Sequence, residues 1–289
     1  MHSRTLGRHG PSVSVVGFGG MPLSVTGRPP ENDAIRVIHA ALNAGVTLID
    51  TADVYCLNDQ DIGHNERLIA KAVRTWSGSP PVVATKGGLI RPGGRWDRRG
   101  GPDHLRQACE RSLQALGVEQ IDLYQWHAPD PRVPFEDSVG ALAALQEAGK
   151  VARVGLSNVS VDEIERAQTI VEIHSVQNRL NPFFREAVDN GVVQYCDDHG
   201  ICFLAYSPVG GGRLNKKLPE HPTLSSMSAR LGASPHQLVL AWVLAQGSSV
   251  VVIPGARSIA NAVSSARAAD ITLSPDDIDA IADAAFSVA

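Results

Sequence analysis

The chain has 289 residues and a mass of 30.7 kDa, which suits one large domain or two small ones. With 43% hydrophobic and 19% charged residues it can bury a sizeable core, which excludes an intrinsically disordered protein. The formal charge of −4 argues against a protein that binds nucleic acid or a membrane surface. No apolar leader or membrane-length run is found and the four cysteines lack disulfide or metal spacing, so we expect a cytoplasmic location.

Short apolar runs alternate with amphipathic stretches along the whole chain. The runs are almost continuously apolar, which is typical of parallel strands that are covered on their outer face. Strands are predicted at 14–19, 46–50, 81–86, 121–127, 151–157, 173–177, 201–207 and 250–254. Helices are predicted at 31–44, 63–76, 103–117, 136–148, 161–170, 184–199, 234–246 and 258–268.

Eight β/α units without a break in composition predict an α/β fold, a (β/α)₈ TIM barrel that spans residues 1–289 as one domain. Two additions are expected, an N-terminal β-hairpin at 3–13 with its turn at His9-Gly10 and a final helix at 274–286. Ser274 and Pro275 are typical residues for the start of that helix. A doubly wound open sheet is the alternative.

Three polar residues close consecutive predicted strands: Asp50, Lys86 and His127. Active sites of such barrels lie at the C-terminal ends of the strands, and adjacent strands are about 5 Å apart, so these side chains can converge. A buried lysine is costly unless a carboxylate pairs with it, and a nearby cation lowers the pKa of a phenol such as Tyr55. Each residue alone has an ordinary structural explanation, but the group together predicts a proton-transfer site.

The blocks DTADVY, VVATKGG, DLYQWH, GLSN, AYSP and IPGARS, in this order, resemble the aldo-keto reductases over nearly the whole chain. The resemblance implies an oxidoreductase that reduces aldehydes or ketones to alcohols with hydride from NADPH. It implies that Tyr55 is the general acid, that Lys86 lowers its pKa and that Asp50 holds Lys86. His127 would orient the carbonyl oxygen of the substrate.

Cofactor binding is expected at the loops after the last two strands, residues 206–213 and 254–258, because barrels commonly bind phosphate there. The glycine-rich segment 17–22 does not match the G-x-G-x-x-G fingerprint, since Pro22 stands at the third glycine position. A Rossmann domain is therefore not supported, and a tight turn is the preferred explanation of these glycines.

The resemblance implies a specific role for several residues around the cofactor. Tyr206 would stack on the nicotinamide, and the carboxamide would be held by Ser157, Asn158 and Gln177. The pyrophosphate would be contacted by Ser207, Val209 and Gly212. The adenosine would be approached by Arg257 and Ser258. The expected cofactor set is completed by Gly20, Met21, Asp50, Pro208, Arg213, Ile253, Gly255 and Asn261. NADP(H) is favoured because Arg257 can pair with a phosphate bidentately, whereas Gly255, Asn261 and Ser264-Ser265 depart from the family pattern and keep NAD(H) as an alternative.

The substrate is expected to be a small carbonyl compound that contacts Tyr55, His127 and Trp96. Trp96 lies among four arginines in the loop 91–99, which is interpreted either as a gate that favours anionic or phosphorylated substrates or as a solvated loop. Cys56, next to the general acid, is interpreted as a pocket wall rather than a redox-sensitive thiol. A pyridoxal-type aldehyde is an alternative substrate, and a monomer is expected.

Two other functions are consistent with a barrel of this kind. One is a non-catalytic or slow nicotinamide-binding redox sensor or regulatory subunit. The other is a metal-assisted hydrolase or lyase, which is disfavoured because Asp50 and His127 are too few ligands at the strand ends. No metal is expected.

Overall fold

The computed structural model describes residues 1–288, and its centre is a sheet of eight parallel strands. In spatial order these are β3 (Phe18–Gly19), β4 (Leu48–Asp50), β5 (Val82–Gly87), β8 (Leu123–Trp126), β9 (Val154–Ser157), β10 (Ile173–Arg179), β11 (Cys202–Tyr206) and β12 (Val250–Val252). Parallel bridges from Val16 to Val252 and from Gly19 to Gly255 join the first strand to the last. The sheet is thus closed into the predicted (β/α)₈ barrel, and the open-sheet alternative is wrong.

Twelve helices accompany the strands within residues 1–288. They are α1 (Glu31–Asn43), α2 (His64–Arg74), α3 (Pro102–Leu116), α4 (Phe135–Glu147), α5 (Val161–Gln168), α6 (Glu186–Asp189), α7 (Val192–His199), α8 (Gly211–Leu214), α9 (Pro222–Leu231), α10 (Pro235–Leu244), α11 (Ile259–Arg267) and α12 (Pro275–Ala282). No helix in this part of the chain is both long and apolar enough to cross a membrane.

Several element boundaries differ from the prediction for local reasons. The helix predicted at 184–199 is two helices, because Gly191 adopts a left-handed conformation with φ of 80° between α6 and α7. The final helix begins with the predicted Ser274 cap but ends at Ala282. Ser14 belongs to the hairpin rather than to the first barrel strand, and helices α8 and α9 were not predicted.

Two antiparallel hairpins flank the barrel. The predicted N-terminal hairpin consists of β1 (Ser3–Thr5) and β2 (Ser12–Ser14), and its Leu6 and Val13 are fully buried against apolar side chains of the barrel interior. A second hairpin, β6 (Leu89–Ile90) with β7 (Asp97–Arg98), follows the third barrel strand and was not predicted.

The alternation of side chains along the strands separates the interior of the barrel from the layer beneath the helices. In β11, Leu204 packs inside the barrel whereas Phe203 and Ala205 pack in the outer layer. Inside the barrel, Leu48 of β4 and Ala84 of β5 belong to the same cluster as Leu204. A residue two positions after either of them therefore also points inward, one layer nearer the C-terminal end of the barrel.

Candidate functional site

Asp50 and Lys86 occupy these inward positions, two residues after Leu48 and Ala84. The register of the sheet pairs Asp50 with Ala84 and Lys86 with Gln125, so the side chains meet at the C-terminal end of the barrel. Lys86 Nζ donates to both carboxylate oxygens of Asp50 at 2.7 Å and to the backbone oxygen of Thr51 at 2.8 Å. The pair is almost completely buried, with side-chain exposures of 0% for Lys86 and 3% for Asp50.

Tyr55 lies directly against this pair. Lys86 Nζ donates to the Tyr55 hydroxyl at 3.2 Å and lies 4.9 Å from the centroid of its ring. Burial raises the pKa of the Tyr55 phenol well above its ordinary value, and the negative charge of Asp50 raises it further. The net shift is therefore upward, because burial and the charge of Asp50 outweigh any stabilisation of the phenolate by Lys86. That Lys86 itself lowers this pKa stays a prediction.

The imidazole of His127 forms another wall of the site. Its ring meets the Tyr55 ring edge-on, with centroids 5.8 Å apart and an angle of 81° between the planes. Burial lowers the pKa of His127 well below its ordinary value, and the charge of Lys86 lowers it further, so the imidazole is neutral at physiological pH. Its Nδ1 is buried and has no hydrogen-bond partner within residues 1–288.

Trp96 completes a group of three aromatic rings at the mouth of the site. Its ring centroid lies 6.4 Å from that of Tyr55 and 6.5 Å from that of His127, both with edge-on geometry. The residue is 48% exposed, so part of the indole is free to contact a bound molecule. The structure thus brings together the three residues that were expected to contact the substrate.

Two glutamines extend the polar interior around Asp50. Gln177 Nε2 donates to Asp50 Oδ1 at 2.8 Å, and Gln125 Nε2 lies 3.5 Å from the same oxygen. Gln125 was missed by the sequence prediction, although a polar residue two positions after the inward-facing Leu123 was a detectable signal. These amides help to fix Asp50 as the carboxylate partner of Lys86.

Three residues expected to hold a nicotinamide carboxamide lie together at the top of the barrel. Ser157 Oγ donates to the backbone oxygen of Gln177 at 2.7 Å, and Asn158 Nδ2 donates to Ser157 Oγ at 3.1 Å. Tyr206, which ends β11, donates from its hydroxyl to Asn158 Oδ1 at 2.8 Å. Asn158 also donates to the backbone oxygen of His127 at 3.0 Å, which connects this cluster to the aromatic rings.

The loop after β11 turns sharply through Ser207, Gly210 and Gly211, all of which have positive φ angles. Pro208 in this loop is buried, and Val209 is half-buried. A Cβ atom added at Gly212 would meet no atom within 4 Å outside its chain neighbours and the backbone of α8, so this position faces open space. The guanidinium of Arg213 contacts the segment after α12, because its Nη2 donates to the backbone oxygen of Val288 at 2.5 Å.

The loop after β12 is attached to the loop after the first barrel strand. Arg257 donates from Nε to the backbone oxygen of Pro22 at 3.0 Å and from Nη2 to that of Thr26 at 2.7 Å. Ser258 caps α11 by accepting from the backbone N–H of Asn261 at 3.3 Å.

The remaining members of the expected cofactor set lie where these two loops meet. Gly20 donates its N–H to the backbone oxygen of Asp50 at 2.8 Å, and Met21 is exposed. Gly255 is bridged to Gly19, and Ile253 packs inside the barrel.

The chain is similar to known proteins over almost all of its length. Residues 15–285 match the model of the Aldo/keto reductase family. The chain is 37% identical to "Probable aldo-keto reductase 1" of Glycine max, and the alignment covers 96% of this chain and 87% of that protein.

Solved structures show the same similarity at the level of the fold. A glycerol dehydrogenase from Gluconobacter oxydans has a TM-score of 0.85 and 26% identity, with 97% of this chain and 94% of that one covered. An aldo/keto reductase from Klebsiella pneumoniae in complex with NADP and acetate has a TM-score of 0.80 and 25% identity, with the same coverage. The chain therefore belongs to the aldo/keto reductase family and is an oxidoreductase.

Proposed function

We propose that this protein reduces aldehydes or ketones to alcohols with hydride from NADPH, and that residues 1–289 act as one reductase domain. The observation that carries the proposal is the Lys86 ammonium, which is held by Asp50 and lies 3.2 Å from the hydroxyl of Tyr55. A carbonyl group that accepts hydride becomes an alkoxide and needs a proton from a positioned donor. Tyr55 is that donor in our proposal.

The side chains at the barrel top fit a nicotinamide dinucleotide. Ser157, Asn158 and Gln177 offer hydroxyl and amide groups for a carboxamide, and Tyr206 offers an aromatic face. The open backbone at Gly212 leaves room for a phosphate to approach. In the neighbouring loop, Arg257 offers a positive charge that can attract a second phosphate. When bound, the cofactor would supply the hydride. The complex of the Klebsiella pneumoniae relative with NADP supports NADP(H) as the cofactor of this chain.

Each polar residue around Tyr55 has its own part in the proposed transfer of a proton to the substrate. Because its pKa is raised, Tyr55 keeps its proton at neutral pH, and an alkoxide is a far stronger base than the phenolate that remains. Lys86 stabilises that phenolate, and Asp50 holds Lys86 at the required position. The neutral imidazole of His127 can donate a hydrogen bond to the carbonyl oxygen as negative charge develops on it.

The direct test is the oxidation of NADPH by the purified protein with 4-nitrobenzaldehyde as substrate, which is followed by the absorbance at 340 nm. We expect saturable turnover that depends on both the aldehyde and the cofactor. Tight NADPH binding without turnover of any carbonyl in a panel of aldehydes and ketones would instead support a redox sensor.

The rate of reduction is expected to be insensitive to pH around neutrality. The pKa of Tyr55 is raised, so its proton is lost only above the ordinary phenol value of 10.0. The pKa of His127 is lowered, so its ring becomes charged only below the ordinary value of 6.5. A profile of kcat/KM against pH should therefore be flat between these two values, and an inflection near pH 8 would contradict the assignment of Tyr55 and His127.

Arg257 is expected to distinguish NADPH from NADH. Replacing it with glutamine removes a charge-assisted contact with phosphate, which contributes about 1.5–3 kcal/mol, or about a 10- to 150-fold change in Kd. Fluorescence titration should show this loss for NADPH and a much smaller one for NADH. Arg267→Gln, an exposed arginine at the other end of α11, serves as the control. An equal loss for both cofactors would mean that Arg257 acts only through its bonds to Pro22 and Thr26.

A further inference from the structure

The four arginines of the loop after the third barrel strand have very different environments. Hairpin pairing of Leu89 with Arg98 and of Ile90 with Asp97 leaves residues 91–96 as a tip beside the site. Arg95, Arg98 and Arg99 are exposed at or near this tip. Arg91 is 94% buried, with only 6% of its surface exposed.

Burial of Arg91 is unusual because no carboxylate compensates its charge. Burying a guanidinium is costly unless it is paired, yet no acidic group lies within 4.0 Å of Arg91 in residues 1–288. Its Nη2 instead donates to the backbone oxygens of Cys56 and Leu57, at 3.2 and 3.3 Å. Its Nε is buried and has no hydrogen-bond partner in the same residues. The free-energy cost of burying this charge must therefore be offset by another favourable contact.

Arg91 makes this favourable contact with the ring of Trp96. The guanidinium carbon of Arg91 lies 3.9 Å from the centroid of the indole, within the range of a cation–π interaction. Arg91 therefore connects the segment after Tyr55, through Cys56 and Leu57, to the ring that faces Tyr55 and His127. The charge of Arg91 is directed at an aromatic face and backbone oxygens, and not at an anionic group of a substrate.

We propose that Arg91 is a positioning residue that holds Trp96 over the site and thereby makes the enzyme prefer aromatic over small aliphatic carbonyl substrates. This inference rests on the proposed reductase function. The indole is about half exposed, so a planar substrate can pack against it while its carbonyl group reaches Tyr55 and His127. A small aliphatic aldehyde cannot use that surface, so its turnover does not depend on where Trp96 is held.

The test compares kcat/KM for 4-nitrobenzaldehyde and for butanal in wild type, Arg91→Met and Arg95→Met. An aromatic contact is worth about a 3- to 10-fold change, so Arg91→Met should lower the aromatic-to-aliphatic ratio by that factor, mainly through KM for the aromatic aldehyde. Arg95→Met, an exposed arginine of the same loop, should leave the ratio unchanged. Arg91→Lys keeps a cation and should restore part of the preference.

A double variant separates positioning of Trp96 from a general effect on the fold. In the Trp96→Leu background, Arg91→Met should no longer change the ratio, because the ring that it holds is gone. The same change of ratio in both backgrounds would overturn the proposal, as would an equal change in Arg95→Met. Wild-type protein that turns over neither aldehyde would overturn the proposed function instead.

Fluorescence quenching tests the same contact without any turnover. Trp126 and Trp242 are at most 1% exposed, so acrylamide reaches mainly Trp96 and Trp76. Arg91→Met should increase quenching relative to wild type, and the increase should vanish in the Trp96→Leu background. Unchanged quenching in Arg91→Met would show that Trp96 keeps its place without Arg91.

Discussion

Tyr55→Phe is expected to lower kcat/KM for carbonyl reduction by a factor of about 10²–10⁴, the usual contribution of a general acid. The change removes only the hydroxyl that lies 3.2 Å from Lys86 Nζ, and it keeps the ring that packs beside His127 and Trp96. The shape of the pocket should therefore be preserved. The measurement is NADPH oxidation with 4-nitrobenzaldehyde, together with fluorescence titration of NADPH to show that cofactor binding is unchanged.

Tyr195→Phe is a matched control for the loss of a tyrosine hydroxyl. Tyr195 lies on α7 and donates its hydroxyl to Gln168 on the helical layer, away from Lys86 and Asp50. Its replacement should leave kcat/KM at the wild-type value. If Tyr55→Phe behaved like this control, Tyr55 would not be the proton donor and the proposed mechanism would fail.

Lys86→Met is expected to lower the free energy of unfolding by about 3–5 kcal/mol, because it leaves the buried carboxylate of Asp50 without its cation. Gln177 still donates to Asp50, but an amide does not neutralise the charge. Reductase activity should be lost as well, since Tyr55 no longer has a cation to stabilise its phenolate. Urea denaturation measures the first effect, and NADPH oxidation measures the second.

The double variant Asp50→Asn with Lys86→Met separates stability from catalysis. Both charges are then absent, so most of the lost stability should return because no uncompensated charge remains buried. Activity should stay low, since the cation beside Tyr55 is still missing. A double variant as unstable as Lys86→Met, or one that regains activity, would contradict the role of this pair.

A surface ion pair provides the reference for these variants. Lys71 on α2 pairs with Glu31 on α1, and both side chains are largely exposed. Solvent screens such pairs, so Lys71→Met should leave the urea midpoint essentially unchanged. The contrast between the two lysines tests whether burial, rather than loss of any ion pair, makes Lys86 important.

Much of the barrel could be predicted from local patterns. Alternating apolar runs and amphipathic stretches indicated all eight strands of the sheet, and Asp50 and Lys86 were recognised because a charged residue ends each apolar run. The hairpin at Leu89–Ile90 and Asp97–Arg98 was missed, since its strands have only two residues each and its tip is rich in glycine and arginine. Such short elements are stabilised by contacts with the rest of the fold and carry little periodic signal of their own.

The direction of the Tyr55 pKa shift could not be obtained from the order of residues. A nearby lysine favours the phenolate, but burial and the charge of Asp50 disfavour it, and in this barrel the second effect is larger, so the pKa is raised. The balance depends on distances and burial, which exist only after the chain has folded. The position of Arg91 is a similar case, because nothing in RPGGRWDRR distinguishes the one buried arginine from the three exposed ones.

The order of apolar and polar residues along the chain determined that strands and helices alternate and that certain polar groups end the strands, because both depend on neighbours in sequence. Only the tertiary structure decided which of these groups meet. Closure of the sheet and its register bring Lys86 to Asp50 across 36 positions of sequence and Gln177 to Asp50 across 127. Removal of this cluster from water then sets its pKa values, since charge–charge interaction and desolvation depend on distance in space and not on distance along the chain.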